Sequence, residues 1–161
     1  MGIEHWPALL VFIAVNCAAA SMGGIFRPGA WYERLRKPSW TPPNWLFAPA
    51  WTILYAVMAF AGYLLWRSAG PGEAILPLAF YGLQLVLNGA WSGIFFGMRR
   101  PDLAFIELIG LWLATFATIV TFWPVSRDAA LLVLPYLAWI TFAGALNFAV
   151  WRLNAPLRKT A

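Results

Sequence analysis

Three stretches of the chain carry amides and aromatic rings at spacings that bring them together. Gln84, Asn88, Trp91 and Phe95 recur every three or four residues. On an α-helix turning about 100° per residue they lie within about 60° of one another. Trp51 and Tyr55 stand one turn apart, and Tyr136, Trp139 and Asn147 fall within about 80° on a shared helical face. Rings that supply apolar contact and a few amides that fix orientation are the usual makeup of a small-molecule pocket. The same inventory offers little for catalysis. A single histidine, His5, leaves no Ser/His/Asp or Cys/His set to assemble. A single cysteine, Cys17, permits neither an intrachain disulfide nor a thiolate cluster. No phosphate-cradling loop, dinucleotide fingerprint or zinc spacing occurs. The expectation is therefore a binding site with no catalytic residue and no metal ligands.

The elements that must hold these residues follow from composition. Of 161 residues, 62% are hydrophobic and only 11% are charged. A soluble domain averages about 25% charged and about 45–50% apolar, and a disordered chain needs low hydrophobicity and high charge. Neither class fits. The charges leave five runs, 5–26, 38–66, 74–98, 103–126 and 129–151, that are uncharged or nearly so. Each is long enough to cross a hydrocarbon core of about 30 Å, which takes about 20 residues of helix. The fourth contains Glu107, near enough to its start to snorkel to the interface. Barrel strands would alternate over segments of roughly 10 residues, and these runs are continuous. The predicted fold is an all-α membrane protein, a single domain over 1–161 with five transmembrane helices at about 6–26, 45–66, 74–97, 103–123 and 129–151.

Charge placement predicts the orientation. The first connection carries Arg27, Arg34, Arg36 and Lys37, the third Arg99 and Arg100, and the C-terminal tail Arg152, Arg158 and Lys159. With five spans these share one side, and only Arg67 and Arg127 lie opposite. In an inner membrane the basic side is expected to be cytoplasmic. The net charge of +5 then reflects topology and attraction to anionic lipid, not nucleic-acid binding. Ala18-Ala19-Ala20 resembles a signal cleavage site. The first four residues hold no Lys or Arg and the apolar stretch is of full span length, so the segment is expected to stay as a helix.

Three connections are short and marked by proline or glycine. The first is not: Arg27 to Asn44 holds four prolines with Trp31, Tyr32 and Trp40. Loops beyond about 12–15 residues are uncommon and tend to be functional or disordered. So many aromatics argue for a folded lid. Directions then place Trp51, Asn88, Trp91 and Asn147 in the half of the bundle beneath this lid. On the side of the third helix opposite the amides, Gly89, Gly93 and Gly97 form a ridge that lets another helix approach closely. Its partner is either a neighbouring helix or the same helix of a second copy, and the expectation leans to a homodimer. Asn88 and Asn147 are equally suited to interhelical hydrogen bonds and to ligand contact; Gln84 is expected to make an interhelical bond. Trp6, Trp66, Trp123 and Trp151 sit near helix ends, where interfacial tryptophans belong.

Taken in order, these residues resemble a known family. Trp31-x-x-x-Leu35-x-Lys37-Pro38-x-Trp40-x-Pro42-Pro43-x-Trp45, Pro49-Ala50-Trp51-x-x-x-Tyr55, Gln84-Leu85-x-x-Asn88-x-x-Trp91, Phe95-Phe96, Pro135-Tyr136-x-x-Trp139 and Asn147 are similar to the translocator protein family, also called TspO or tryptophan-rich sensory protein. The match covers all five runs and the first connection. It implies frequent dimers and the binding of porphyrins, sterol-like lipids and synthetic isoquinoline or benzodiazepine ligands, with no covalently bound cofactor. It implies a pocket formed by Trp51, Tyr55, Asn88, Trp91, Tyr136, Trp139 and Asn147 with Trp31 on the lid. A porphyrin such as protoporphyrin IX would stack on Trp51 and Trp139 and set its carboxylates against the bases of the first connection. Some members are credited with light-dependent porphyrin breakdown, an enzymatic alternative resting on the same two tryptophans. The family's proposed cholesterol motif needs a base soon after Tyr136. Here Ile140 follows Trp139 and the next base is Arg152, so tight cholesterol binding is not expected.

Overall fold

A computed structural model describes residues 5–155. Five long helices are apolar enough to cross a membrane: α1 (Trp6–Ile25), α3 (Asn44–Ser68), α4 (Ile75–Ser92), α5 (Pro101–Phe122) and α6 (Arg127–Asn154). Between α1 and α3 lies a short helix, α2 (Ala30–Arg34). The last turn of α4 widens into π geometry over Gly93–Gly97, with the Met98 amide donating to the Gly93 carbonyl at 2.8 Å. No strand occurs among the described residues. The chain is an integral, multi-pass membrane protein.

Local chemistry sets the helix ends. Pro101 opens α5, where its missing N–H costs no hydrogen bond. Ser126 caps α6 by accepting from the Ala129 amide. Asp102 and Asp128 sit in the first turns of α5 and α6, where the helix dipole favours negative charge. Gly72 takes a left-handed conformation, φ 83°, in the turn before α4, which costs glycine little. In the membrane the backbone must satisfy itself, which long helices joined by short turns do.

The helices close into a ring: α1 packs on α3 and α4, α3 on α6, α6 on α5, and α5 back on α4. Toward the end of the bundle away from the lid the centre is filled by Met58, Leu65, Phe122 and Val133. Large apolar side chains such as Val86, Ile106 and Leu113 point outward to lipid. Trp6, Trp66 and Trp123 are exposed at helix ends, as interfacial tryptophans are.

The glycine ridge of α4 takes α1 of the same chain as its neighbour. A Cβ on Gly89 would lie 3.3 Å from Met22 Cγ and 4.0 Å from the Ala19 carbonyl oxygen, and one on Gly97 would lie 2.9 Å from the Phe26 ring. Gly93 faces the same ring at 3.5 Å. The ridge lets α1 approach, the intrachain partner of the two that the pattern allows. A homodimer through this helix stays a proposal about its lipid-facing side. Gly89→Ile should force α1 away and cost about 1–3 kcal/mol, read as a lower unfolding temperature with particle size in detergent unchanged. A change of oligomer size at unchanged stability would instead put the ridge between subunits.

Two further polar residues differ from expectation. Glu107 does not snorkel: both carboxylate oxygens are buried and have no hydrogen-bond partner. Gln84 is fully buried, and neither amide atom has a partner, so it makes no interhelical bond. Asn88, one turn on, makes the interhelical bonds instead.

Candidate ligand-binding cavity

The first connection, residues 26–43 between α1 and α3 (loop 1), is an ordered roof. Tyr32, on α2, is buried, with its ring edge-on to Phe96 at 5.5 Å and to Phe95 at 6.2 Å. The ammonium of Lys37 donates to the Tyr32 carbonyl at 2.6 Å and sits 4.2 Å above its ring, a cation–π contact. Burial pushes the Tyr32 hydroxyl above the ordinary phenol range, so the roof residue stays neutral. Farther along, Trp40 meets Phe142 of α6 edge-on at 5.8 Å. A two-bond tie comes from Asn154, at the end of α6 and 5% exposed. Its Oδ1 accepts from the Arg36 amide at 3.0 Å and its Nδ2 donates to the Arg36 carbonyl at 2.9 Å. This pairing replaces two backbone bonds that an irregular segment otherwise lacks. Asn154→Leu should leave both Arg36 groups without partners, at about 1–3 kcal/mol. Deuterium exchange over residues 31–43 should rise while exchange in α5 stays as it was.

Beneath the roof is a cavity of about 1040 Å³ bounded by α1, α3, α4, α5 and α6. Trp51, Tyr55, Asn88, Trp91, Trp139 and Asn147 line it, together with Tyr32 of the roof. Two residues expected at the site, Trp31 on the lid and Tyr136 on the wall, are not among those that line it. Trp31 turns to Phe95, ring to ring at 5.9 Å, and its neighbour Tyr32 roofs the cavity instead. Tyr136 is 1% exposed and braces the wall from behind.

Two amides of the wall, Asn88 and Asn147, are already paired. The Tyr55 hydroxyl bonds to Asn88 Oδ1, and Asn88 Nδ2 donates to the Tyr136 hydroxyl at 2.7 Å. Asn88 thereby ties α3, α4 and α6. One turn nearer the roof, Trp91 Nε1 donates to Asn147 Oδ1 at 3.0 Å, and Asn147 Nδ2 donates to the Pro101 carbonyl at 2.7 Å. Of the two roles open to Asn88 and Asn147, the geometry displays the structural one: they hold rings in place. The rings form one group. Trp51 packs on Tyr55 at 5.6 Å and meets Tyr136 and Trp139 edge-on, each at 6.2 Å. Trp91 stacks on Phe95 at 4.9 Å.

The Trp51 and Trp139 planes cross at 88°. A flat ligand can therefore lie parallel to one of them and present its edge to the other; it cannot stack on both, as the sequence reading expected. Wall residues that sequence reasoning passed over include Asn16, Phe47, Phe60 and Leu111. Apolar ones carry no distinguishing signal in a chain this hydrophobic. Asn16 did carry one, a lone amide in the middle of an apolar helix.

Fold and cavity thus define a five-helix membrane protein with a roofed aromatic cavity. The model of the TspO/MBR family matches residues 11–152. The chain is 49% identical over 144 residues to Protein CrtK of Rhodobacter capsulatus, covering 89% of each chain. It is 41% identical to the tryptophan-rich sensory protein of Cereibacter sphaeroides, covering 92% of each. Human translocator protein is 45% identical over 154 residues, 92% of this chain and 91% of that one. The chain belongs to the TspO/MBR family.

Proposed function

We propose that the protein binds a flat, apolar tetrapyrrole such as protoporphyrin IX within the membrane, in a sensing or translocating role like those its relatives' names describe. One observation carries the reading: a cavity at the upper end of the ~300–1,000 Å³ range of small-molecule pockets, walled by indoles whose amide neighbours are already paired. A ring system would gain apolar and stacking contact there, with the amides of Asn88 and Asn147 already paired. The roof supplies charge for ligand carboxylates. Arg27 and Arg34 each donate through Nε to a carbonyl of their own segment, at 2.8 and 3.1 Å, which leaves their terminal nitrogens for propionates. By the charge rule, loop 1, the α4–α5 turn and the C-terminal end face the cytoplasm if the membrane is an inner one.

Titration of the protein in detergent with protoporphyrin IX should quench tryptophan fluorescence saturably, at one site per chain. Linear quenching, equal to that of free tryptophan in the same micelles, would rule the reading out. The contact between Trp51 and Trp139 also suits a light-dependent breakdown of the bound ring. A new absorbing product formed on illumination only when protein is present would favour that second reading.

A further inference from the structure

Asn16 sits on α1, about two and a half turns below its C-terminal end. It is 2% exposed and belongs to the cavity wall. Its amide nitrogen donates to the Phe12 carbonyl at 2.8 Å and to the Tyr81 hydroxyl at 2.5 Å, and that hydroxyl donates onward to the Met58 carbonyl at 2.9 Å. The chain of donors leaves one orientation for the amide. Tyr81 has a single hydroxyl proton, which Met58 takes, so toward Asn16 it accepts. The Phe12 carbonyl accepts as well. Turning the amide over would set its oxygen against two acceptors, so the nitrogen is fixed where it is and both its protons are used.

Oδ1 remains. It is buried and has no hydrogen-bond partner. Among the buried polar atoms of the described residues that line the cavity, one other lacks a partner, the indole nitrogen of Trp139. One is an obligate acceptor and the other an obligate donor. Asn88 and Asn147 spend their amides on Tyr55, Tyr136, Trp91 and the Pro101 carbonyl, so among the buried polar atoms of the wall these two are the ones left for a ligand to pair. A buried acceptor is unfavourable until it is paired, and a ligand donor that pairs it recovers this.

We propose that Asn16 is a specificity-determining residue of the cavity, its Oδ1 accepting a hydrogen bond from an N–H or O–H on the part of the ligand away from the roof. The preferred ligand is then a flat apolar molecule with a donor in its interior or at its deep edge, such as a pyrrole-type N–H. A ring of equal shape with no donor fits the space and leaves the acceptor unpaired. The proposal rests on reading the cavity as a ligand site; it does not require that the ligand be a porphyrin.

Carbazole and dibenzofuran test it, since they share one tricyclic shape and differ in an N–H against a ring oxygen. Dissociation constants measured by calorimetry in detergent should favour carbazole by about tenfold, the worth of one net hydrogen bond. Asn16→Leu should bind the two equally. The comparison within the unaltered protein does not depend on the variant's folding. Equal affinities there, failure of both to bind, or a preference that survives in Asn16→Leu overturns the proposal. Carbazole preference without protoporphyrin IX binding would overturn the tetrapyrrole reading and leave this one standing. Protoporphyrin IX binding with equal affinities for the tricyclic pair would do the reverse.

Discussion

Alanine at both Trp51 and Trp139 should weaken protoporphyrin IX binding by roughly a hundredfold. Each indole that faces a bound ring contributes on the order of 1–2 kcal/mol, and a loss of about 2.8 kcal/mol is a hundredfold in affinity. The two contributions differ in kind. With planes at 88°, one indole covers the face of a flat ligand and the other meets its rim, so the single variants should be unequal, the face-covering one costing more. Trp112 is the control: it stacks on Phe116 and donates to Thr141 at 2.9 Å, away from the cavity wall. Trp112→Ala should keep the affinity of the unaltered protein. Binding followed by porphyrin absorbance avoids the loss of fluorescent reporters. Affinity undiminished in the double variant would remove the cavity as the binding site.

Asn88→Leu should be the most damaging single change to the bundle among the wall residues. It strips partners from the hydroxyls of Tyr55 and Tyr136 at once, and Tyr136 is 1% exposed. Interhelical hydrogen bonds in membranes average below 1 kcal/mol. Leaving a buried hydroxyl unpaired costs about 1–3 kcal/mol, so a loss of about 2–3 kcal/mol is expected. Adding Tyr136→Phe to Asn88→Leu should recover part of it, because the second change removes the group that the first orphaned. Thermal unfolding of the four proteins in detergent gives the coupling. Additive losses would mean that Asn88 and Tyr136 do not act as a pair.

Much of the architecture is legible in the sequence. A hydrocarbon core demands about 20 apolar residues per span, so gaps between charges alone mark α1, α3, α4, α5 and α6. A linker with four prolines and Trp31, Tyr32 and Trp40 had to pack somewhere. The identity of its anchors was hidden. Asn154 meets Arg36 across 118 residues of chain, and no local pattern announces so distant a pair.

Helical periodicity also placed Trp51, Tyr55, Asn88, Trp91, Trp139 and Asn147 on faces that converge, because the angle between residues on one helix is a property of the backbone and needs no neighbours. Periodicity says nothing of how each helix is rotated against the next. That rotation decided whether the glycines of α4 meet α1 or another chain, turned Trp31 onto Phe95, and set Tyr136 behind the wall. It also decided that Asn88 and Asn147 spend their hydrogen bonds on neighbouring side chains and backbone, while Asn16 keeps an acceptor in reserve. An amide in a sequence is only a capacity for hydrogen bonding, and which atoms remain free is known only once every partner within about 3 Å is in place.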